Sequence, residues 1–432
     1  MKNVIIFIYM LLFSMPLFSQ KFTKIDSVQR VVLVENRVFI SGPSDNQNLA
    51  NQYELLEDNS TRIVYNQDTV TGRTTVLGTL NNKFIVRGDA QRFYQVNADG
   101  LAWLSPGLRR TWPYFTKFNN KIYFFGENLV GEELRSWNGV NYEVIKMLHI
   151  NSTRQAEFLG NVANGFVFFA VMDSTPGPVG ATWFSDGTEA GTRVISTQQA
   201  YSSDPQNPRR KTCGGKAYFI SNLGIASSDG TSAGTQLVYR FPDITVELEN
   251  FGPNKLLIAK NNLVLLDCIT DTTVELTQNT SKTFQIKVDD GVAAFIALFP
   301  GGGSMWTTDG TPAGTKPFNP AQVASSYAWF KHKLYFVEPA TGKLWKADDN
   351  LTTAQPVVSA SLAGLTHIRN LFSNDIGIYA EAGINGDEFW AGRDIIIASP
   401  IPVNTFNPYG AFALSGITLL FGMLILNRRG SK

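Results

Sequence analysis

The chain has little of what most chemistry needs. It carries three histidines, His149, His332 and His367, and two cysteines, Cys213 and Cys268, in 432 residues. No histidine has a second His or a Cys at metal-ligand spacing, so no zinc centre is expected. No serine sits in a Gly-x-Ser-x-Gly elbow, so no nucleophile of that kind is expected. Gly301-Gly302-Gly303-Ser304 is rich in glycine but lacks the lysine of a phosphate loop. Charged residues make up 17% of the chain and the net charge is +1. That balance excludes a broad basic face for nucleic acid and an acidic solvating tail. Arg209-Arg210-Lys211 is the one short basic run, and it is read as a solvated loop between units. No catalytic or cofactor-binding residue is assigned. Acidic pairs do occur, at Glu132-Glu133, Asp289-Asp290 and Asp348-Asp349, at turns or strand starts. Two carboxylates from distant parts of a fold can serve a glycosidase, so that chemistry stays open.

Apolar length is concentrated at the two ends. Lys2 precedes the run Val4 to Phe18, and the chain turns polar at Lys21. A charged start, a short apolar core and a small-residue exit define a secretory signal over 1–20. The run of about 15 residues is short of the roughly 20 that a span needs. Near the other end, Gly410 to Leu426 is apolar and uncharged, with Tyr409 before it and Arg428-Arg429 after it. An interfacial aromatic and a retained arginine pair imply a membrane helix over 410–427, with the body outside and a cytoplasmic basic tail at 428–432. Residues 399–409 read as a linker. The expected location is therefore across the inner membrane, anchored or at the cell surface.

The body between these ends is a repeat. A turn followed by an aromatic-rich strand reads Asn119-Asn120-Lys121-Ile122-Tyr123-Phe124-Phe125, and again Gly214-Gly215-Lys216-Ala217-Tyr218-Phe219 and Lys331-His332-Lys333-Leu334-Tyr335-Phe336. Nine copies, strong and weak, run from Asn36 to Asp375 at a mean spacing of about 42 residues. Asn-Asn, Asn-Gly and Gly-Gly supply the positive φ of a two-residue hairpin turn. About 20 residues after the turn comes a second element. It is Asp186-Gly187-Thr188-Glu189-Ala190-Gly191-Thr192, then Asp229-Gly230-Thr231-Ser232-Ala233-Gly234-Thr235, then Asp309-Gly310-Thr311-Pro312-Ala313-Gly314-Thr315. Degenerate copies occur around Trp137-Asn138-Gly139, Trp345-Lys346-Ala347-Asp348-Asp349 and Phe389-Trp390.

These segments resemble the bacterial repeat Glu-Leu-Trp-x-x-Asp-Gly-Thr-x-Ala-Gly-Thr of exported and surface proteins. Three copies keep the Asp-Gly-Thr-x-Ala-Gly-Thr half and none keeps the Glu-Leu-Trp half. The resemblance implies a propeller and carries no common enzymatic activity. The tail, with Pro400-Ile401-Pro402-Val403, a span and an arginine pair, is similar to sorting tags of the PEP-CTERM and IPTL-CTERM type. That likeness implies a sorting protease acting on the tail; a plain tail anchor is the other reading.

Four strands per unit at this period give an all-β fold, a single propeller of about eight or nine blades over 21–398. Two smaller rings or an open array are the alternatives. In the loops, the Asp carboxylate is expected to bond the amides beyond it, and the second glycine to leave the loop with positive φ. Asp186, Asp229 and Asp309 are also candidate calcium ligands, but one carboxylate per loop is thin for that ion, so no cofactor is assigned. The Trp or Leu before the loop is expected to pack between blades. Cys213 and Cys268 fall at different places in their repeats, so free, partly buried thiols are expected. Function reads as a binding, adhesion or structural module with a protein or glycan ligand; the alternative is a hydrolase of extracellular polysaccharide.

Overall fold

The structure is a computed structural model. It describes residues 110–150, 156–172, 179–197, 210–221, 223–240, 246–318, 326–338 and 341–357 without a break, and chiefly strand residues elsewhere between 23 and 392. The expected signal segment, linker, membrane helix and tail lie outside the described residues. Among the described residues, no helix is long and apolar enough to cross a membrane.

The two-residue turns form as their residue types dictate. Asn119 and Asn120 have φ of 47° and 56°, Lys331 and His332 of 48° and 58°, and Gly214 and Gly215 of 56° and 77°. Phe118 then faces Lys121, Phe330 faces Lys333, and Cys213 faces Lys216. Two copies depart from this pattern. The strands Glu247–Asn250 and Lys255–Ala259 are joined by residues 251–254, and Asn370–Ser373 and Ile378–Ala382 by residues 374–377. The first of these connections holds Pro253, whose ring fixes φ near −65° and forbids the turn that Asn-Asn makes.

Each hairpin grows into a four-stranded antiparallel meander. Sheet 1 spans residues 30–65, sheet 2 75–103, sheet 3 110–150, sheet 4 157–196, sheet 5 210–240, sheet 6 247–275, sheet 7 282–317 and sheet 8 327–356. In each, four consecutive strands pair in chain order. The ninth sheet draws on both ends of the body: Asn370–Ser373, Ile378–Ala382 and Glu388–Gly392 pair in order, and Thr23–Asp26 joins as the fourth strand. Its register sets Thr23 against Ala391 and Asp26 against Glu388. Four-stranded meanders repeated in this way are the unit of propeller architecture.

The second strands of sheets 3 to 8 are buried on both faces, which is why they read as continuous apolar runs. In Lys121–Glu127, Ile122 and Phe124 pack with Leu80, Ile85 and Phe93 of sheet 2. The alternate residues Tyr123 and Phe125 pack with Phe158, Phe166, Phe168 and Trp183 of sheet 4. Trp183 stacks on Phe168 with centroids 5.9 Å apart, and its indole N–H donates to the Ala170 carbonyl at 3.4 Å. Aromatic pairs of this kind add about 0.5–1.5 kcal/mol beyond the area they bury.

First strands lie side by side in series from sheet 3 to sheet 9. Polar side chains tie them together. Thr116 donates to Asn161 Oδ1 at 2.8 Å, and Thr212 donates to the Asn161 carbonyl at 3.3 Å. Arg210 pairs with Glu157, and Lys211 Nζ lies 2.8 Å from Glu249 Oε1. Arg210 and Lys211 therefore belong to the strand Arg210–Cys213, and the expectation of a solvated loop there is corrected: each is held by a carboxylate of a neighbouring sheet. A bulge between Phe284 and Lys287 frees the amides of Gln285 and Ile286, which donate to Glu247 at 2.5 and 3.1 Å. Burial raises the pKa of both Glu157 and Glu247, opposed by Arg210 on the first and by these amides on the second.

Candidate functional sites: the repeat loops and a cleft on the first strands

In the loop between the third and fourth strands of sheet 4, Asp186 Oδ1 accepts from the Thr188 amide at 2.9 Å and from its hydroxyl at 2.7 Å. The Thr188 hydroxyl oxygen accepts from the Gly191 amide at 3.0 Å, and the Thr192 hydroxyl donates to the Thr188 carbonyl at 2.5 Å. The loops at Asp229 and Asp309 repeat these bonds: Asp229 with Thr231, Gly234 and Thr235, and Asp309 with Thr311, Gly314 and Thr315. One further residue joins each set. Ser185, Ser228 or Thr308 bridges the closing threonine hydroxyl and accepts the first glycine's amide. The sequence carries this signal as a Ser or Thr directly before each Asp, and the repeat motif leaves it out.

The roles of the two glycines differ from expectation. Positive φ belongs to the first: 89° at Gly187, 92° at Gly230 and 84° at Gly310. Gly191, Gly234 and Gly314 have no positive φ; a Cβ on any of them would overlap the loop's own Asp carboxylate. They are small because the carboxylate lies over the backbone there.

These hydrogen bonds hold Asp186 and Asp309 below the usual carboxylate range, the Thr188 and Thr311 hydroxyls contributing most. The degenerate loop does likewise with other partners: amide donation from Thr352 and Thr353 lowers Asp348 to about 2. In each loop one carboxylate oxygen, Oδ1, already accepts two hydrogen bonds from the loop's own threonine. Among the described residues, no three His, Cys, Asp or Glu side chains gather as a metal set. Chelator is accordingly expected to leave the melting temperature unchanged. A fall of several degrees, reversed by calcium, would make Asp186, Asp229 and Asp309 ligands instead.

Each loop also reaches back to the preceding sheet. A Cβ on Gly187 would overlap the Tyr123 hydroxyl of sheet 3. One on Gly230 would lie 2.7 Å from the Phe184 ring of sheet 4, and one on Gly310 2.6 Å from Phe251, beside sheet 6. In sheet 3, the Asn138 carbonyl accepts from Asn81 of the sheet 2 turn at 3.4 Å. Sheet 6 has no Asp-Gly-Thr loop, and its contact with sheet 5 is covalent: Cys268 is disulfide-bonded to Cys213, with Cα atoms 5.9 Å apart. The expectation of free thiols is corrected. The cysteines occupy different repeat positions because the third–fourth loop of one sheet docks beside the first turn of the sheet before it. The Tyr218 hydroxyl reinforces the link, donating to the Cys268 carbonyl at 3.0 Å and to Asp271 at 2.8 Å, and Lys216 pairs with Asp271 at 2.6 Å.

A cleft of about 550 Å³ opens on the first strands of sheets 6 to 9. Glu249, Lys287, Asp289, Trp329, Lys331 and His332 line it, with Phe372 and Asn374 at the sheet 9 side. Trp329 is half-buried, and its indole N–H donates to the Lys287 carbonyl at 3.0 Å. Its own carbonyl accepts from Ser373. His332 lies 2.9 Å from Asp289, and Lys211 holds Glu249. His332 was expected as a turn residue, and it is one; its place in the cleft, and that of Trp329, follows from no motif.

No family model matches the chain, and no curated protein matches it. Solved structures do. The C-terminal WD40 domain of Sif2 is 11% identical, with 87% of this chain and 98% of that chain covered and a TM-score of 0.44. Sqt1 of Saccharomyces cerevisiae is 9% identical, with 87% and 99% covered and a TM-score of 0.42. BamB from Moraxella catarrhalis is 12% identical, with 75% and 97% covered and a TM-score of 0.41. A puromycin hydrolase is matched at 11% identity and a TM-score of 0.38; the chain spans about half of that protein's length, 53%.

Proposed function

We propose that the protein is an exported binding module, a single closed propeller of nine blades whose ligand site is the cleft on the first strands of sheets 6 to 9. The observation that carries this reading is the cleft itself. Its volume of about 550 Å³ falls within the range of small-ligand sites, about 300–1,000 Å³, and a fixed indole lies among convergent polar groups. Closure is supported by the pairing of Thr23–Asp26 with Glu388–Gly392. Export is supported by the signal-like start, and by a disulfide of the kind that persists in oxidising compartments. The apolar stretch at 410–427 then anchors the body, facing outward, or serves as a tag for a sorting protease.

The test is a binding screen of the purified protein against glycans, peptides and cell-wall fragments, run beside Trp329→Ala. Binding that the substitution weakens supports the reading; equal binding by both proteins, or none by either, contradicts it. A hydrolase reading rests on Glu249 and Asp289, which line the same cleft. Each is already engaged by another side chain, Lys211 or His332, which puts binding ahead of catalysis. Release of reducing ends from a bound polysaccharide would reverse that order.

A further inference from the structure

We propose that the cleft takes a neutral oligosaccharide, with one pyranose ring lying on Trp329; this rests on the reading of the cleft as the ligand site. Two neighbouring sheets hold Trp329, one by its indole and one by its backbone. The indole N–H donates to the Lys287 carbonyl of sheet 7 at 3.0 Å, and Ser373 of sheet 9 donates to the Trp329 backbone carbonyl. The indole's N–H bond and its packing against the core of sheets 7 and 8 hold the ring before any ligand arrives, and little side-chain freedom is lost on binding. A held, half-exposed indole suits the apolar C–H face of a sugar, while the sugar's hydroxyls stay at the rim.

The polar lining is balanced in sign. Lys287 and Lys331 stand against Glu249 and Asp289. Glu249 is held by Lys211 at 2.8 and 2.9 Å, and Asp289 by His332 at 2.9 Å. Glu247, behind the cleft, faces Lys287 and accepts the Gln285 and Ile286 amides. A site so matched presents no field that would favour an ion. It does present donors and acceptors together, which is what a hydroxyl, itself both donor and acceptor, requires.

The test is calorimetric titration of the full-length protein in mild detergent. The probes are oligomers of glucose and of N-acetylglucosamine, an acidic oligouronate and mixed peptides. At least one neutral oligomer is expected to bind, with Kd changing less than about twofold between roughly 0.05 and 0.5 M salt, since no charge is screened. Trp329→Ala is expected to weaken binding about tenfold or more, and Trp329→Phe, which keeps a ring, about threefold. Because Trp329→Ala also removes an inter-sheet hydrogen bond, Trp329→Phe, which removes the same bond but keeps the ring, separates the two effects; His332→Ala, on an exposed side chain, is expected to cost about threefold. Trp329-dependent binding of only the oligouronate or only a peptide would overturn the neutral sugar and leave the cleft as a ligand site. Absence of any Trp329-dependent binding would overturn both.

Discussion

Reduction of the Cys213–Cys268 disulfide is expected to lower the stability of the body by about 3–4 kcal/mol. The bond closes a segment with a sequence separation of 55. Chain-entropy arguments put the stabilisation from a loop of that length near about 4 kcal/mol, reduced where the unfolded chain keeps some structure. The effect should be large here because the bond stands where other sheets carry a self-stapled Asp-Gly-Thr loop. Without it, the polar contacts left at that end are those of Tyr218, Lys216 and Gln236 with Asp271 and of the Gly214 amide with the Pro253 carbonyl. Burial and then Asp271 push the Tyr218 hydroxyl well up, so it stays a donor at any ordinary pH. Urea unfolding with and without reductant, beside Cys213→Ser with Cys268→Ser, measures the effect. Identical midpoints, or two titratable thiols in the native protein, would contradict the account.

The second large effect is expected at the first loop glycine. Gly187→Ala should cost about 2–4 kcal/mol, by two mechanisms that add. The residue sits at φ 89°, which alanine adopts only under strain. Its Cβ would also enter the space of the Tyr123 hydroxyl, on a ring packed into the sheet 3 and sheet 4 core. Gly191→Ala should cost less, about 1 kcal/mol, although the overlap there is as severe. The group in its way is the exposed Asp186 carboxylate, which can swing into water at the loss of two short-range hydrogen bonds. Thermal melts of the two variants should therefore rank Gly187→Ala well below Gly191→Ala. The reverse order would mean that the loop's own staple, and not its seat on the neighbouring sheet, dominates.

Much of this fold could be read before the structure, for local reasons. A two-residue turn depends on the φ preferences of two adjacent residues, so Asn119-Asn120 and Gly214-Gly215 announce themselves. Asp186, Thr188 and Thr192 bond within seven residues, so their arrangement is also local. What stayed hidden depends on how one sheet is offset from the next. The sequence places Cys213 beside a turn and Cys268 in a loop, and only the docking of that loop on the preceding sheet brings them together. A clue was present: sheet 6 is the repeat with cysteine where its neighbours carry Asp-Gly-Thr. Arg210 and Lys211 read as solvated because their partners, Glu157 and Glu249, lie 53 and 38 positions away. Trp329 gave no signal, since its place in the cleft comes from the side-by-side first strands of three sheets.

The proposed closure of the sheets by the N-terminal strand is the central claim, because it separates a single ring from an open array. The register sets Lys24 opposite Trp390. The most direct measurement is oxidation of the Lys24→Cys, Trp390→Cys variant in the folded state, followed by peptide mapping without reductant. The account predicts a 24–390 cross-link beside the native 213–268 bond, with the melting temperature kept or raised. Folded protein in which both new thiols stay free under oxidant would contradict it.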